Sequence, residues 1–341
     1  MQNSRSIASD IAIDATRSSL TSPRVVGSSN LRVTPVALGC WPIAGITSLD
    51  VNEEDSLATI RACFDCGINF LDTAYCYGRN GESERLIARA VGSQRDAFVI
   101  ASKAGIHWDA RGERQFDASP ATLRRECDES LQRLQTDRID LYYLHAPDPG
   151  TPIVESAAVF QELRAAGKIL AVGVSNMTLA QLREYHAVCP VDALQPPYNM
   201  LMRDIEDDLL PWCMAHRVSV IVYWPLMKGL LAGKLRRDHQ FQPGDGRAKY
   251  PMFQSPEWEK NQDFLDELSQ IARDLGHSVA DLVTNWTIHR PGITAALCGA
   301  KRAQQIRESA AALTWQLDAA VTARIDEAIR KRGKAVVRPA V

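Results

Sequence analysis

The sequence predicts an α/β protein folded as a single closed (β/α)8 barrel, with a short N-terminal β-hairpin before it and an extra helix at its C-terminal end. Three observations carry that reading. Eight short apolar runs alternate with longer amphipathic stretches from about residue 24 onward. The runs are nearly continuous in apolar character, as parallel strands covered on both faces require. The segment after the first run, Gly39-Cys40-Trp41-Pro42-Ile43-Ala44-Gly45, does not fit the G-x-G-x-x-G that an open doubly wound sheet usually carries there.

The elements follow in order. A hairpin is expected over Arg24–Gly27 and Leu31–Thr34, turning at Ser28-Ser29-Asn30. The strands are expected at Val36–Gly39, Asn69–Asp72, Phe98–Lys103, Ile139–His145, Ile169–Ser175, Ala193–Gln195, Val218–Tyr223 and Thr294–Leu297. Between them, Glu53 to Cys66 shows an apolar face through Leu57, Ile60 and Phe64 and meets Gly67 as a stop. Ser119-Pro120 reads as an N-cap followed by Pro at the first helical position, opening a helix to about Leu134. Thr151-Pro152 repeats that signal, with Gly167 at the far end. Asp263–Leu275 and Ser278–His289 read as consecutive helices hinged at Gly276, and Asp318–Arg332 as the terminal helix. Residues 1–22, polar and Ser-rich, read as a flexible leader, leaving one barrel domain over 23–335.

Composition narrows the function. The chain has 341 residues, 39 Lys plus Arg against 41 Asp plus Glu, and a net charge of −2. That balance argues against a sequence-independent grip on nucleic acid or anionic membrane. The apolar stretch Val218–Met227 is too short to span a bilayer. Eight cysteines are scattered, and the one C-x-x-C, Cys63 and Cys66, lies inside a helical pattern with no second pair to complete a zinc site. Buried thiols in a reducing cytoplasm are the expectation, with no metal site.

In such a barrel the C-terminal strand ends face the active site. The second, third and fourth runs deliver Asp72, Lys103 and His145 to that rim, with Tyr77 five residues past the acid. Each has an ordinary structural reading alone: an N-cap, a solvated lysine, a satisfied core histidine. Together they form a coherent proton-transfer set. A lysine cation beside a phenol is expected to lower its pKa, and an Asp paired to the lysine keeps the ammonium charged. The histidine can orient a substrate oxygen. Such a site protonates an oxygen that gains negative charge, as carbonyl reduction requires. The later strand ends suit a hydride donor. Ser175 and Asn176 can bind an amide, Gln195 ends the sixth run, and Tyr223 offers a flat face. Gly299-Ala300-Lys301-Arg302 leads into a helix start with two cations beside it, a phosphate site by charge and geometry.

These residues, in this order, resemble the aldo-keto reductase superfamily. The matching segments are Leu38-Gly39-Cys40-Trp41, Asn69 to Ala74 with Tyr77-Gly78 and Ser83-Glu84, Ser102-Lys103, Asp140 to His145 with Pro147-Asp148, Gly167-Lys168-Ile169, Gly173 to Asn176, Gln195 with Tyr198-Asn199, Pro225-Leu226 with Gly229-Leu230-Leu231 and Gly233-Lys234, and Gly299-Ala300, over about residues 24–330. The resemblance implies a (β/α)8 barrel that binds NADP(H) without a Rossmann domain and exchanges hydride with an aldehyde, ketone or corresponding alcohol. It implies Tyr77 as general acid/base, Lys103 and Asp72 as its tuning pair, and His145 as the carbonyl-orienting residue. It implies Ser175, Asn176 and Gln195 on the nicotinamide carboxamide and Tyr223 against the ring. Gly39, Cys40 and Trp41 would also meet the cofactor, and Trp224, Pro225, Leu226 and Lys228 would line the pyrophosphate. Lys301 or Arg302 would meet the 2′-phosphate, with Gln305, Glu308 and Ser309 near the adenosine, and Gly299 would also bind the cofactor.

Departures from the family pattern are Trp224 for a common Ser, Met227 and Lys228 for smaller residues or Gly, Cys40 for Thr, Ser309 for Asn, and Ala146 where many members carry Trp. The last implies a roomier pocket, lined by Trp41 and Trp108. Oligomeric state and substrate identity have no readable code. An alternative from another class is a nicotinamide-binding regulatory or sensor subunit with little turnover.

Overall fold

A computed structural model describes residues 22–46 and 49–336. The leader expected over 1–22 lies, apart from Ser22, outside the described residues. Eight parallel strands close into a barrel: β3 (Val36–Gly39), β4 (Phe70–Asp72), β5 (Val99–Ala104), β8 (Ile139–Leu144), β9 (Ile169–Ser175), β10 (Ala193–Gln195), β11 (Ser219–Tyr223) and β12 (Ile293–Gly299). Each pairs with its neighbours in chain order, and β12 returns to β3 with Ala296 opposite Val36 and Gly299 opposite Gly39. Three of the eight bounds coincide with the sequence expectation, and the other five differ by one or two residues at an end.

The barrel interior is a packed core. Phe70 and Tyr143 fill it, with small residues such as Ala101, Ala171 and Ala295 around them. Gly173 is the residue that makes room: a Cβ there would lie 2.3 Å from the Tyr143 ring. A second apolar layer fills the space between the strands and the outer helices, through Leu38, Ile100, Tyr142 and Val172.

The hairpin β1 (Arg24–Val25) and β2 (Arg32–Val33) sits under the N-terminal end of the barrel, where Val26 and Val33 join the interior core. Its polar groups are spoken for. Gly27 N donates to Ser219 Oγ at 2.9 Å and Ser28 N to Asp192 Oδ1 at 3.3 Å. The Arg24 guanidinium donates to the carbonyls of Ile288, Ile293 and Thr294.

Ten α-helices are described. Ser119 caps α3 (Pro120–Leu134) through Thr122 N, as its sequence predicts. The Thr151-Pro152 start differs: Pro152 is itself the N-cap of α4 (Ile153–Ala165), because the Thr151 hydroxyl donates to Asp148 instead. The helix expected from Asp263 begins at Glu257 (α7, Glu257–Leu275), where Arg332 of the terminal helix α10 (Ala319–Arg332) pairs with Glu257 at 2.5 Å. That contact is long-range, so local periodicity did not carry it.

One element departs from expectation. The segment between β5 and α3, read as a loop, holds a second hairpin, β6 (Ile106–Trp108) and β7 (Arg114–Phe116). Asp109 Oδ1 accepts from Arg111 N and Glu113 N, and Gly112 takes φ +78°, which closes the turn. The hairpin lies over the C-terminal end of the barrel.

Candidate active site

Asp72, Lys103 and His145 sit at or just past the ends of β4, β5 and β8, and all three are buried. Lys103 Nζ lies 2.5 Å from Asp72 Oδ1 and donates to the Thr73 carbonyl at 2.8 Å. Gln195 Nε2 donates to Asp72 Oδ2 at 2.8 Å. An ion pair this deep is costly to break: removing one partner leaves an uncompensated charge, about 3–5 kcal/mol. Burial pushes the Asp72 carboxyl up, and the lysine and the Gln195 amide oppose it. Behind Lys103, Ser102 Oγ donates to the buried Glu84 at 2.6 Å, and Arg133 pairs with the same carboxylate at 3.3 Å. This support fixes the end of β5.

Tyr77, half-buried, stands beside the pair, with its ring centroid 4.9 Å from Lys103 Nζ. Trp41 meets it edge-on at 5.0 Å, and the His145 ring lies 5.9 Å away. Burial pushes the phenol well above its ordinary value, and the Asp72 charge adds to that. The sequence expectation ran the other way. The physical reason is desolvation of the phenolate first, with the Asp72 charge acting in the same direction.

His145 is held well below its ordinary value by burial first, then by Lys103 and Arg114, so its ring is neutral. Its Nδ1 lies 3.6 Å from Cys76 Sγ. Burial pushes the Cys76 thiol up to about 12, so the sulfur carries its proton. A protonated thiol facing Nδ1 favours that nitrogen as acceptor and the ring proton on Nε2. Trp108 Nε1 donates to the Cys76 carbonyl at 2.8 Å, which ties the β6–β7 hairpin to the segment carrying Tyr77. Ala146 is buried among Cys76, Ile106 and Trp108.

The residues expected around the carboxamide form one connected chain. Tyr223 OH donates to Asn176 Oδ1 at 2.7 Å, and Asn176 Nδ2 donates to Ser175 Oγ at 3.0 Å and to the His145 carbonyl at 2.9 Å. Ser175 Oγ donates to the Gln195 carbonyl at 2.8 Å. Asn176 holds φ +57°, a left-handed conformation that Asn tolerates.

Farther round the rim, Trp224, Met227 and Lys228 also take positive φ, followed by Gly229 at +88°. Pro225 is buried and Leu226 half-buried in this turn. Lys228 Nζ lies 4.2 Å from the Trp224 ring centroid and 4.6 Å from that of Tyr250. It pairs with no carboxylate among the described residues. Burial, Lys249 and Arg114 together push it down to about 8.

At the start of α9 (Ala303–Ala311), Gln305 Oε1 accepts from the backbone N–H of Lys301 and Arg302. Lys301 Nζ donates to the Leu49 carbonyl at 2.8 Å, and Arg302 Nε lies 3.6 Å from Asp55. Glu308 pairs with Lys234 at 2.5 Å, and Ser309 is buried with its hydroxyl on the Gln305 carbonyl. Gly39 and Gly299 lie opposite one another at the closing seam, and Cys40 N donates to the Asp72 carbonyl at 2.9 Å.

Three site residues were not singled out from sequence for a role there: Cys76, Glu84 and Arg114. Cys76 sits between Tyr75 and Tyr77 and reads as one more scattered thiol. Arg114 is found only through the register of β6 and β7, which sets it opposite Trp108. Among the described residues no cluster of three or more potential metal ligands occurs, and no helix is long and apolar enough to cross a membrane.

Comparison with known proteins matches this geometry. The family model for the aldo/keto reductase family covers residues 35–330. The chain is 36% identical over 297 residues to the aldo-keto reductase YhdN of Bacillus subtilis, covering 86% of this chain and 89% of the relative. It is 33% identical over 324 residues to the NADH-specific methylglyoxal reductase of Escherichia coli, covering 90% and 98%. Among solved structures, the glycerol dehydrogenase of Gluconobacter oxydans superimposes with a TM-score of 0.86 at 34% identity, covering 94% of this chain and 99% of that one. An aldo/keto reductase from Klebsiella pneumoniae in complex with NADP and acetate gives 0.69 at 28% identity, covering 89% and 94%. With a family match spanning most of the chain and relatives above 30% identity along nearly their whole length, this protein belongs to the aldo/keto reductase family.

Proposed function

We propose that the protein is an NADP(H)-dependent oxidoreductase that interconverts a small aldehyde or ketone and its alcohol, with Tyr77 as general acid and base. The observation that carries the reading is the convergence of a protonated phenol, a neutral imidazole and an ion-paired ammonium at one end of the barrel.

The rim fits a dinucleotide. Lys228 is a half-buried ammonium without a counter-anion among the described residues, in a turn of left-handed residues, and a diphosphate would supply the missing charge. Trp224, Pro225, Leu226 and Lys228 would hold that group. Lys301 and Arg302 would hold a 2′-phosphate, with Gln305, Glu308 and Ser309 beside the adenosine. Tyr223 would stack on the ring, and Gly39, Cys40 and Trp41 would border it. Ser175, Asn176 and Gln195 would take the carboxamide by exchange, since their side-chain polar groups already have protein partners. When bound, the nicotinamide supplies or accepts the hydride.

The chain's own residues manage the proton. Tyr77 keeps its proton until an alkoxide, a far stronger base, develops beside it. Lys103 then stabilises the phenolate left behind, and Asp72 keeps that lysine charged. His145 donates from Nε2 to the carbonyl oxygen and orients it. In the oxidation direction the phenolate takes the alcohol proton.

The relatives' names support small oxygenated substrates: one is a methylglyoxal reductase and one a glycerol dehydrogenase. They differ on the cofactor, one being NADH-specific and another complexed with NADP. Our choice of NADP(H) rests on Lys301 and Arg302. The cysteines are free, which suits a reducing compartment, and we place the protein in the cytoplasm. The test is NADPH consumption with a carbonyl panel. Turnover that Tyr77→Phe abolishes is the expected result. Tight NADPH binding with no turnover on any carbonyl would replace this reading with that of a regulatory subunit.

A further inference from the structure

The β6–β7 hairpin brings a cation to the pocket. In its antiparallel register Arg114 stands directly opposite Trp108, and Ile106 opposite Phe116. Directly opposed residues in such a pair project from the same face. That face is the one carrying Ile106 and Trp108, which pack with Cys76, Ala146 and Tyr77. The Trp108 bond to the Cys76 carbonyl then fixes the hairpin beside Tyr77. Arg114 is exposed, and among the described residues it forms no ion pair.

The acids nearest in sequence are otherwise engaged or differently placed. Asp109 is taken up by the turn amides, Gln115 and Arg111. Glu113 precedes Arg114 just outside the paired strand, where alternation turns it to the other face. Lys228 and Lys249 are likewise unpaired among the described residues, while Arg247 is satisfied by Asp245 at 2.7 Å. Burial is the first cause holding down the His145 imidazole and the Lys228 ammonium, and the Arg114 charge adds to both, so its field reaches each of them. A neutral substrate would leave that charge without a counter-ion.

We propose that Arg114 is a specificity-determining residue that selects carbonyl substrates bearing an anionic group, a carboxylate or a phosphate monoester, at the end remote from the reacting carbon. Its planar guanidinium suits either anion as a two-point contact. The proposal rests on the carbonyl-reductase reading above and adds to it the class of substrate.

The test compares matched substrates on the full-length protein with NADPH: succinic semialdehyde against butanal, and glyceraldehyde 3-phosphate against glyceraldehyde. The expected result is a preference in kcat/KM for the charged member of at least one pair, by about 10- to 100-fold and mainly in KM. Which pair shows it separates carboxylate from phosphate. Arg114→Gln should collapse that ratio toward one, and Arg114→Lys should restore part of it. No charge preference in the wild type, or a preference surviving in Arg114→Gln, overturns the proposal. If no carbonyl is turned over at all, the reductase reading fails separately. The subsite is then read by calorimetric titration with succinamate, an unreactive acid: binding weakened by Arg114→Gln upholds the anion site, and no binding to the wild type overturns it.

Discussion

At the bottom of the barrel, Gly27 N meets Ser219 Oγ, Asp192 accepts from Ser28 N and Val172 N, and Arg24 spreads over three carbonyls. At the top, Lys228 and Arg114 have no counter-charge among the described residues, and Asn176, Trp224, Met227 and Lys228 all hold left-handed backbone. The two ends share the same eight strands. The lower one is tied together by internal bonds, and among the described residues it holds none of the site residues named above. The upper one leaves charge uncompensated, as a surface does when its missing partner is a ligand. Stability and reactivity are therefore separable, and substitutions at the two ends should have opposite signatures.

The largest expected effect is at the top. Tyr77→Phe should lower turnover by about 100- to 10,000-fold while NADPH affinity and Tm stay close to the parent. A comparable loss of thermal stability would mean that the phenol belongs to the packing, not the chemistry. At the bottom, Gly27→Val should do the reverse. Gly27 has φ +55° and a Cβ would fall 2.3 Å from the Asp192 carbonyl oxygen, so the substitution should cost about 3 kcal/mol or more. Tm should fall by several degrees, with kcat of the folded fraction unchanged.

Two finer tests sharpen the picture of the upper rim. Arg302→Ala should weaken NADPH by about 1–3 kcal/mol and NADH by less, read by nicotinamide fluorescence. Equal losses would move the discrimination to Lys301 or elsewhere. The smallest effect is a pH dependence. Free Lys228 loses its charge as pH rises through about 8, whereas a bound diphosphate holds it protonated. Binding then takes up a proton above that pH, so NADPH affinity should be flat below about 8 and fall toward tenfold per pH unit above it. Lys228→Met should remove the inflection.

The sequence made the strands legible because burial on both faces writes itself as unbroken apolar runs, and the helix cap at Ser119 because capping is local. Asp72, Lys103 and His145 were legible by position alone, each at the end of such a run. The β6–β7 hairpin was not. Its strands are three residues each and half exposed, and only the Asp109–Gly112 turn marks them. The direction of the Tyr77 shift was also out of reach. It depends first on how far the folded barrel desolvates the phenol, and then on the nearby Asp72 charge, neither of which spacing along the chain records. The extension of α7 back to Glu257 hangs on Arg332, 75 residues away.

Arg24 ties the first hairpin to the last stretch of the barrel. Its three carbonyl acceptors lie 264 to 270 residues downstream, on the approach to the final barrel strand. A growing chain that has not yet made β12 offers this guanidinium nothing to hold and leaves both β3 and β11 with an open edge. Seven strands therefore form no half-finished cylinder worth stabilising. Closure is a late event of high contact order, and a ribosome-stalled fragment ending before Ile288 should remain protease-sensitive until the last segment emerges and the clasp engages.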